Sequence, residues 1–121
     1  WVMENRSWDD IAAEYHMVAS RVENWAWAHR FADLLADFRD DEKLQGLQIG
    51  TSVSRLIVSR SRDENGRLSF PYIMISPTPL RFACIRVYDK SGTSVRRRCV
   101  LNAGLRKQLH RFADETADGP F

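Results

Sequence analysis

The sequence has 121 residues and lacks any long hydrophobic run. Its longest apolar stretches, such as residues 72–75, have the length of a strand. They fall far short of the roughly 18 residues that a membrane span requires. We therefore expect a water-soluble chain with no membrane partner.

Cysteine is scarce as well. Cys84 and Cys99 both fall inside apolar segments with the character of strands. This placement is typical of buried free thiols rather than of the disulfide framework of a secreted protein. We therefore predict free thiols and an intracellular protein, cytoplasmic or nuclear. The alternative is a disulfide, which requires that the two strands pair as a hairpin with the cysteines as neighbours.

The residue patterns of common enzymes and cofactor sites are absent. No serine lies in a G-x-S-x-G context, and Gly46 and Gly50 lack the Lys-Ser/Thr of a nucleotide-binding loop. His16, His29 and His110 lack the i, i+4 spacing of a helical metal pair, and no cysteine or acid completes a zinc pattern around them. We therefore expect no catalytic residue, no cofactor and no metal site, and a protein that is not an enzyme.

Lysine is rare, with three residues against fifteen arginines, and the charge is divided along the chain. Residues 1–46 contain five basic and ten acidic side chains, whereas residues 47–111 contain thirteen basic and three acidic ones. The net charge of +2 therefore hides a basic segment that attracts anionic partners. Arginine pairs with carboxylate or phosphate through two parallel hydrogen bonds. Genomic base composition is the alternative explanation, because arginine also occurs in the acidic segment.

The composition is that of one globular domain covering residues 1–121, with 44% apolar and 28% charged residues. Ser7 and Asp10 have the spacing of a capping box, which predicts a helix from Trp8. Apolar residues then recur every three or four positions, so the helix pattern extends to residue 43. Such a helix would be about 50 Å long. It either breaks near residues 20–24 into two antiparallel helices or remains a rod that pairs with another helix.

Four strands are predicted next, at residues 53–60, 68–76, 80–88 and 93–101. The turn sequences Asp63-Glu64-Asn65-Gly66 and Asp89-Lys90-Ser91-Gly92 separate two pairs of them, and connections this short indicate an antiparallel meander. Asn102 is placed to cap a final helix over residues 103–116. The predicted fold is α+β: a long N-terminal helix, whole or broken in two, packed on a four-stranded antiparallel meander and closed by a C-terminal helix.

Arginine and aromatic side chains interleave along the predicted strands. Because side chains alternate between the two faces, Phe82, Arg86 and Tyr88 share one face, and the run from Arg96 to Arg98 places at least one arginine on each face. We predict a non-enzymatic protein-interaction module that binds an acidic protein surface through these strands. The predicted partner-binding residues are Arg81, Phe82, Arg86, Tyr88, Arg96, Arg97 and Arg98.

Two other interpretations of the basic strands remain open. The same side chains suit a nucleic acid, with arginines on phosphates and with Phe82 and Tyr88 stacked on bases. Alternatively, the helices cover the aromatic face and the acidic helix neutralises the arginines. Four aspartates oppose the dipole near the end of the predicted helix, which hints at partners such as the sheet arginines: Asp33, Asp37, Asp40 and Asp41.

The tryptophans of the N-terminal half suggest a large apolar surface on the first helix. Trp27 and Leu34 lie off the main apolar stripe and need cover from another element or chain. We predict that Trp8, Trp25, Trp27 and Leu34 mediate self-association into a homodimer. Packing of the tryptophans in the core is the alternative.

Overall fold

The computed structural model describes residues 6–89 and 91–114, except for the side chain of Val95. The helices are α1 (Trp8–Arg21), α2 (Ala28–Ala36), α3 (Glu42–Gln45) and α4 (Leu105–Asp114), with 3₁₀ turns at Asp37–Asp40 and Asn102–Gly104. The strands are β1 (Gln48–Ser52), β2 (Arg55–Ser59), β3 (Tyr72–Pro77), β4 (Phe82–Tyr88) and β5 (Ser94–Leu101). The fold is α+β, with helices on one side of an antiparallel sheet.

The capping box begins α1 as predicted. Ser7 Oγ accepts a hydrogen bond from the Asp10 amide at 3.1 Å, and the Asp10 carboxylate accepts one from the Ser7 amide at 3.0 Å. These bonds satisfy two of the free amides at the helix start. The bonds from the Ser7 backbone and hydroxyl also lower the pKa of Asp10.

The long N-terminal helix is broken in two. Val22 leaves the helix in an extended conformation, and Asn24 adopts a left-handed φ of 67°, which asparagine tolerates better than most residues. The two helices fold back on each other, and the rings of Tyr15 and Phe31 meet edge to face with centroids 5.1 Å apart. Of the two alternatives, the structure contains the helical hairpin and not the rod.

The sheet is an antiparallel meander in the order β1-β2-β3-β4-β5, with one more strand than predicted. The predicted strand of residues 53–60 begins inside a turn, because Val53 and Ser54 have φ values of 51° and 62° and connect β1 to β2. The tyrosine hydroxyl of Tyr15 donates to Ser54 O at 2.7 Å and holds this turn against α1. Val53 favours a strand by propensity, but its position between two paired strands requires a turn.

The other predicted elements are shifted at their ends. β3 begins four residues later than predicted, after a connection in which Arg62 and Leu68 form an isolated bridge and Gly66 takes a φ of 78°. Asn102 does not begin an α-helix, because a 3₁₀ turn precedes α4, which starts at Leu105. The predicted end of that helix, at residues 115–116, lies outside the described residues.

One face of the sheet and the helices form the hydrophobic core. Side chains that alternate along the strands point to this face: Leu56, Val58, Ile73, Ile75, Ala83, Ile85 and Val87. Helix residues cover them from above: Trp8, Ile11, Tyr15, Phe31, Leu35, Phe38, Leu105, Leu109 and Phe112. The core therefore lies between the helices and one face of the sheet. The other face of the sheet is not part of this core.

Candidate functional site

The face of the sheet turned away from the helices is the candidate site, and we call it the open face. Its central residues are Arg55, Tyr72, Met74, Phe82, Cys84, Arg86, Tyr88 and Arg97. In the part of the chain that the structure describes, the large buried side chains of the helices belong to the cluster on the opposite face. Most side chains of the open face are half-buried or exposed, and no described helix covers them. Ile57 and Ser59 are the buried exceptions, because they lie beside the connection between β2 and β3.

Three arginines border one groove on the open face, which we call the arginine groove. Met74, Arg86 and Arg97 lie side by side across β3, β4 and β5. Arg55 reaches them from β2, with its Nη1 3.8 Å from Met74 Sδ. The groove has a volume of about 210 Å³, and Met74 and Cys84 contribute to its lining. Three guanidinium groups therefore surround a partly apolar depression.

The arginine groove has an uncompensated positive charge within the described residues. Arg55, Arg86 and Arg97 form no ion pair among residues 6–89 and 91–114. Other basic residues do find carboxylates, such as Arg6 with Glu14 at 3.2 Å. Since like charges in one groove repel each other, an anion that enters it gains from all three arginines at once.

Three of the four helix aspartates, all but Asp37, pair with residues of the helical segments, and among the described residues none of the four pairs with a sheet arginine. Asp33 lies 3.2 Å from His16 Nε2, and Asp41 lies 2.5 Å from His110 Nε2 and 3.5 Å from Arg106 Nη1. Burial alone would raise the pKa of Asp41, but the hydrogen bonds from His110 and a backbone amide, with the charge of Arg106, lower it overall. The hint that these acids meet the sheet arginines is wrong for the described residues, because the helices lie on the other face.

An aromatic row crosses the open face next to the arginine groove. The rings of Phe70 and Tyr72 stack at 4.8 Å and 27°, and those of Tyr72 and Tyr88 meet at 5.1 Å and 35°. Burial, with the neighbouring Tyr88, raises the pKa of Tyr72. A second cleft of about 470 Å³ beside the row includes Asp63 and Arg67 in its lining. The rings present their faces mainly to each other.

The structure divides the seven predicted partner-binding residues among three places. Phe82, Arg86, Tyr88 and Arg97 lie on the open face, as the alternation along the strands indicated for the first three. Arg96 and Arg98 lie on the helix side of β5, where Arg98 is half-buried. Arg81 is exposed just before β4. The run of arginines does place side chains on both faces.

The predicted set omitted three residues that complete the site: Arg55, Tyr72 and Met74. They lie on two other strands, and their position beside Arg86 follows from the register between strands. Alternation within β3 could have grouped Tyr72 with Met74, but it could not have placed them opposite Tyr88 and Arg86.

The two cysteines form a disulfide, so the prediction of free thiols is wrong. Cys84 and Cys99 are directly paired positions of β4 and β5, with Cα atoms 4.0 Å apart. The strands do pair as a hairpin in the register that the disulfide alternative required. The bond lies on the open face, and Cys84 lines the arginine groove.

The four residues predicted for self-association have different environments. Trp8 is only 4% exposed, donates from Nε1 to Leu44 O at 3.0 Å and meets Phe38 edge to face. Leu34 is half-buried against the core. Trp25 and Trp27 lie in the connection between α1 and α2, where their half-buried rings contact each other at 4.8 Å. The side chain of Trp8 is therefore part of the core.

Comparisons with known protein families, with curated proteins and with solved structures find no match to this chain. Within the described ranges, no three His, Cys, Asp or Glu side chains are placed to hold a metal ion. His16 and His29 contact each other directly, with 2.8 Å between their Nδ1 atoms. Among the helices of the described residues, none is long and apolar enough to cross a membrane.

Proposed function

We propose that the protein is a non-enzymatic interaction module that binds an acidic protein partner on the open face of its sheet. One observation carries this proposal: Arg55, Arg86 and Arg97 border the same groove and have no carboxylate partner among the described residues. Three arginines in one depression repel each other, so solubility alone does not explain their placement. Their convergence suits recognition of a carboxylate-bearing surface.

The chemistry of the arginine groove supports carboxylate binding. A guanidinium group offers a planar pair of N–H donors that matches the two oxygens of a carboxylate. Met74 and Cys84 line the groove beside the arginines and add apolar surface to it. Aromatic residues beside the groove add apolar contact area of the kind that is enriched in protein interfaces.

Nucleic-acid binding is the second candidate, and one observation favours it. On β4, Arg86 of the groove and Tyr88 of the aromatic row are two residues apart, a separation of about 7 Å that suits a phosphate and its base. However, the rings of Phe70, Tyr72 and Tyr88 already stack on one another, so the inner ring faces are occupied and are not free for bases. We therefore place the acidic protein first.

The test compares two labelled anions by fluorescence anisotropy, a short polyglutamate peptide and an oligothymidylate of equal charge, at low and physiological salt. The double variant Arg55→Gln/Arg97→Gln should weaken peptide binding about tenfold or more. The control Arg21→Gln/Arg30→Gln removes the same charge from exposed helix positions and should change binding less than about twofold. Equal losses in both variants, or no peptide binding at low salt, would refute the proposal. Tighter binding of the oligothymidylate would favour the nucleic-acid alternative.

Self-association into a homodimer is a further part of this proposal. Because Trp8 and Leu34 contribute to the core, the contact would involve Trp25 and Trp27 in the connection between α1 and α2. Sedimentation equilibrium at micromolar concentration should show a dimer that Trp25→Ser/Trp27→Ser dissociates. A monomeric parent protein would overturn this part.

An intracellular location, cytoplasmic or nuclear, also remains a proposal, and its argument from free thiols no longer holds. A disulfide between Cys84 and Cys99 is the form that oxidising compartments favour. Thiol labelling of protein taken directly from its source decides this point: labelled cysteines indicate a reducing compartment, and unlabelled ones an oxidising compartment.

A further inference from the structure

We propose that the acidic partner binds as an extended strand that pairs with the outer edge of β5 and so adds a sixth strand to the sheet. This inference rests on the proposed function and specifies the form of the partner. An added strand places alternate side chains on the two faces of the sheet, with main-chain hydrogen bonds supplying part of the affinity.

The outer edge of β5 is open among the described residues. β5 is the last strand of the meander, and no described strand pairs with its outer side. It is eight residues long, the longest strand described. Arg96, Arg97 and Cys99 are exposed on it, and Leu101 at its end is 66% exposed. A long, exposed edge of this kind is a template for another strand.

The strand pairing shows which backbone groups of β5 point outward. The Cα distance of 4.0 Å between Cys84 and Cys99 is that of a narrow antiparallel pair, in which the two residues direct their N–H and C=O groups away from each other. Narrow pairs alternate with hydrogen-bonded pairs along β4 and β5, so Arg81 and Asn102 should form a hydrogen-bonded pair. The hydrogen bond from Asn102 N to Arg81 O at 2.8 Å agrees with this assignment. The outward groups therefore belong to Arg97, Cys99 and Leu101.

The charges at the edge select an acidic strand. Arg97 lies on the open face and Arg96 on the helix side, so both sides of an added strand would lie next to an exposed arginine. A second copy of β5 would instead place arginine opposite arginine, which is destabilising in a cross-strand pair. Acidic side chains at neighbouring positions of an added strand meet one arginine on each face.

The opposite edge of the sheet is less suited to an added strand. β1 has only five residues, and Thr51 Oγ1 on it already accepts a hydrogen bond from Arg6 Nη1 at 3.0 Å. No arginine lies within β1. The charge complementarity is therefore confined to β5.

The first experiment separates edge pairing from simple docking on the open face. The probe is a labelled peptide with three central glutamates between alternating valine and threonine residues. Edge pairing predicts that Arg96→Gln and Arg97→Gln each weaken its binding about three- to tenfold, whereas Arg21→Gln changes it less than about twofold. Docking on the open face alone predicts a loss with Arg97→Gln and none with Arg96→Gln, because Arg96 lies on the other face.

The second experiment removes main-chain hydrogen bonds without changing charge. Methylating the central backbone nitrogens of the probe keeps its carboxylates but removes its amide donors. Leu101→Pro removes one outward N–H from β5 at a φ of −62° that proline adopts without strain, and Leu101→Ala is its control. We expect the methylated probe to bind about tenfold or more weaker than the parent probe, and Leu101→Pro to bind the probe more weakly than Leu101→Ala.

Each outcome has a distinct meaning. Amide hydrogen exchange should slow at Arg97, Cys99 and Leu101 when the parent probe binds. Equal binding of the parent and methylated probes, with no such protection, would overturn edge pairing while the proposed function stands. If neither the probe nor polyglutamate binds at low salt, the proposed function fails as well. Binding of oligothymidylate in place of both peptides would overturn the choice of an acidic protein strand.

Discussion

Replacing the turn between β1 and β2 should stabilise the protein. Val53 and Ser54 have φ values of 51° and 62°, in the left-handed region where a Cβ costs about 1–2 kcal/mol and a β-branched residue is an outlier. Asn-Gly is the preferred sequence for a two-residue hairpin turn of this kind. Val53 is 91% exposed, so Val53→Asn removes strain and little packing. The bond from Tyr15 to Ser54 is kept, because its acceptor is a backbone carbonyl.

The expected gain follows from these contributions. Val53→Asn should contribute about 1 kcal/mol. Ser54→Gly should contribute about 0.5 kcal/mol, because the added freedom of glycine in the unfolded chain offsets part of the relief. For a chain of 121 residues, each kcal/mol raises the melting temperature by about 4 °C. The double variant should therefore melt about 6 °C higher than the parent.

The assay is thermal unfolding followed by circular dichroism, together with urea unfolding. Val22→Asn is the matched control, because Val22 is 46% exposed but has a φ of −97° with no strain to relieve. The reasoning is refuted if Val53→Asn melts at or below the parent temperature. It is also refuted if Val22→Asn gives the same increase, since the effect would then come from surface polarity.

Three further predictions concern single interactions. Tyr15→Phe should lower the free energy of unfolding by about 1 kcal/mol in urea, because it leaves Ser54 O without its buried donor, and an unchanged urea midpoint would contradict this. Asp41→Asn should cost on the order of 1 kcal/mol at neutral pH. Because the folded pKa of Asp41 is lowered, this cost should shrink as the pH falls below about 3.9 through the folded pKa. Urea midpoints of the parent and the variant across this pH range test it, and a difference that does not change with pH would contradict it. Reduction of the disulfide, whose cysteines are 15 residues apart, should lower the free energy of unfolding by about 3 kcal/mol, and equal urea midpoints with and without dithiothreitol would show that the bond is not formed.

The alternation of side chains in β4 was readable from the sequence, but the composition of the site was not. Phe82, Arg86 and Tyr88 share a face because neighbouring strand residues point in opposite directions, which requires no partner strand. Their grouping with Arg55 and Met74 depends on the register between β2, β3 and β4. That register depends on how the strands pair and on the loops that connect them, so the alternation within one strand does not determine it.

The tryptophans and cysteines show the same limit. Trp8 satisfies the helical period equally well as a core residue or as a surface anchor, and only the packing of Phe38 and Leu44 around it makes it a core residue. Cys84 and Cys99 became neighbours because the β4–β5 hairpin aligned them, whereas their apolar surroundings were equally consistent with free thiols.

What the sequence determined by itself was local. Hydrogen bonds and backbone preferences over a few residues explain the capping box of Ser7 and Asp10 and the turns that contain Gly66 and Gly92. Because these turns are short, they also make the strands they connect antiparallel. Tertiary structure decided that the first helix breaks instead of continuing as a rod, that β1 joins the sheet, and which face the helices cover. These features depend on free energies of burial shared between distant segments, which no short window of sequence contains.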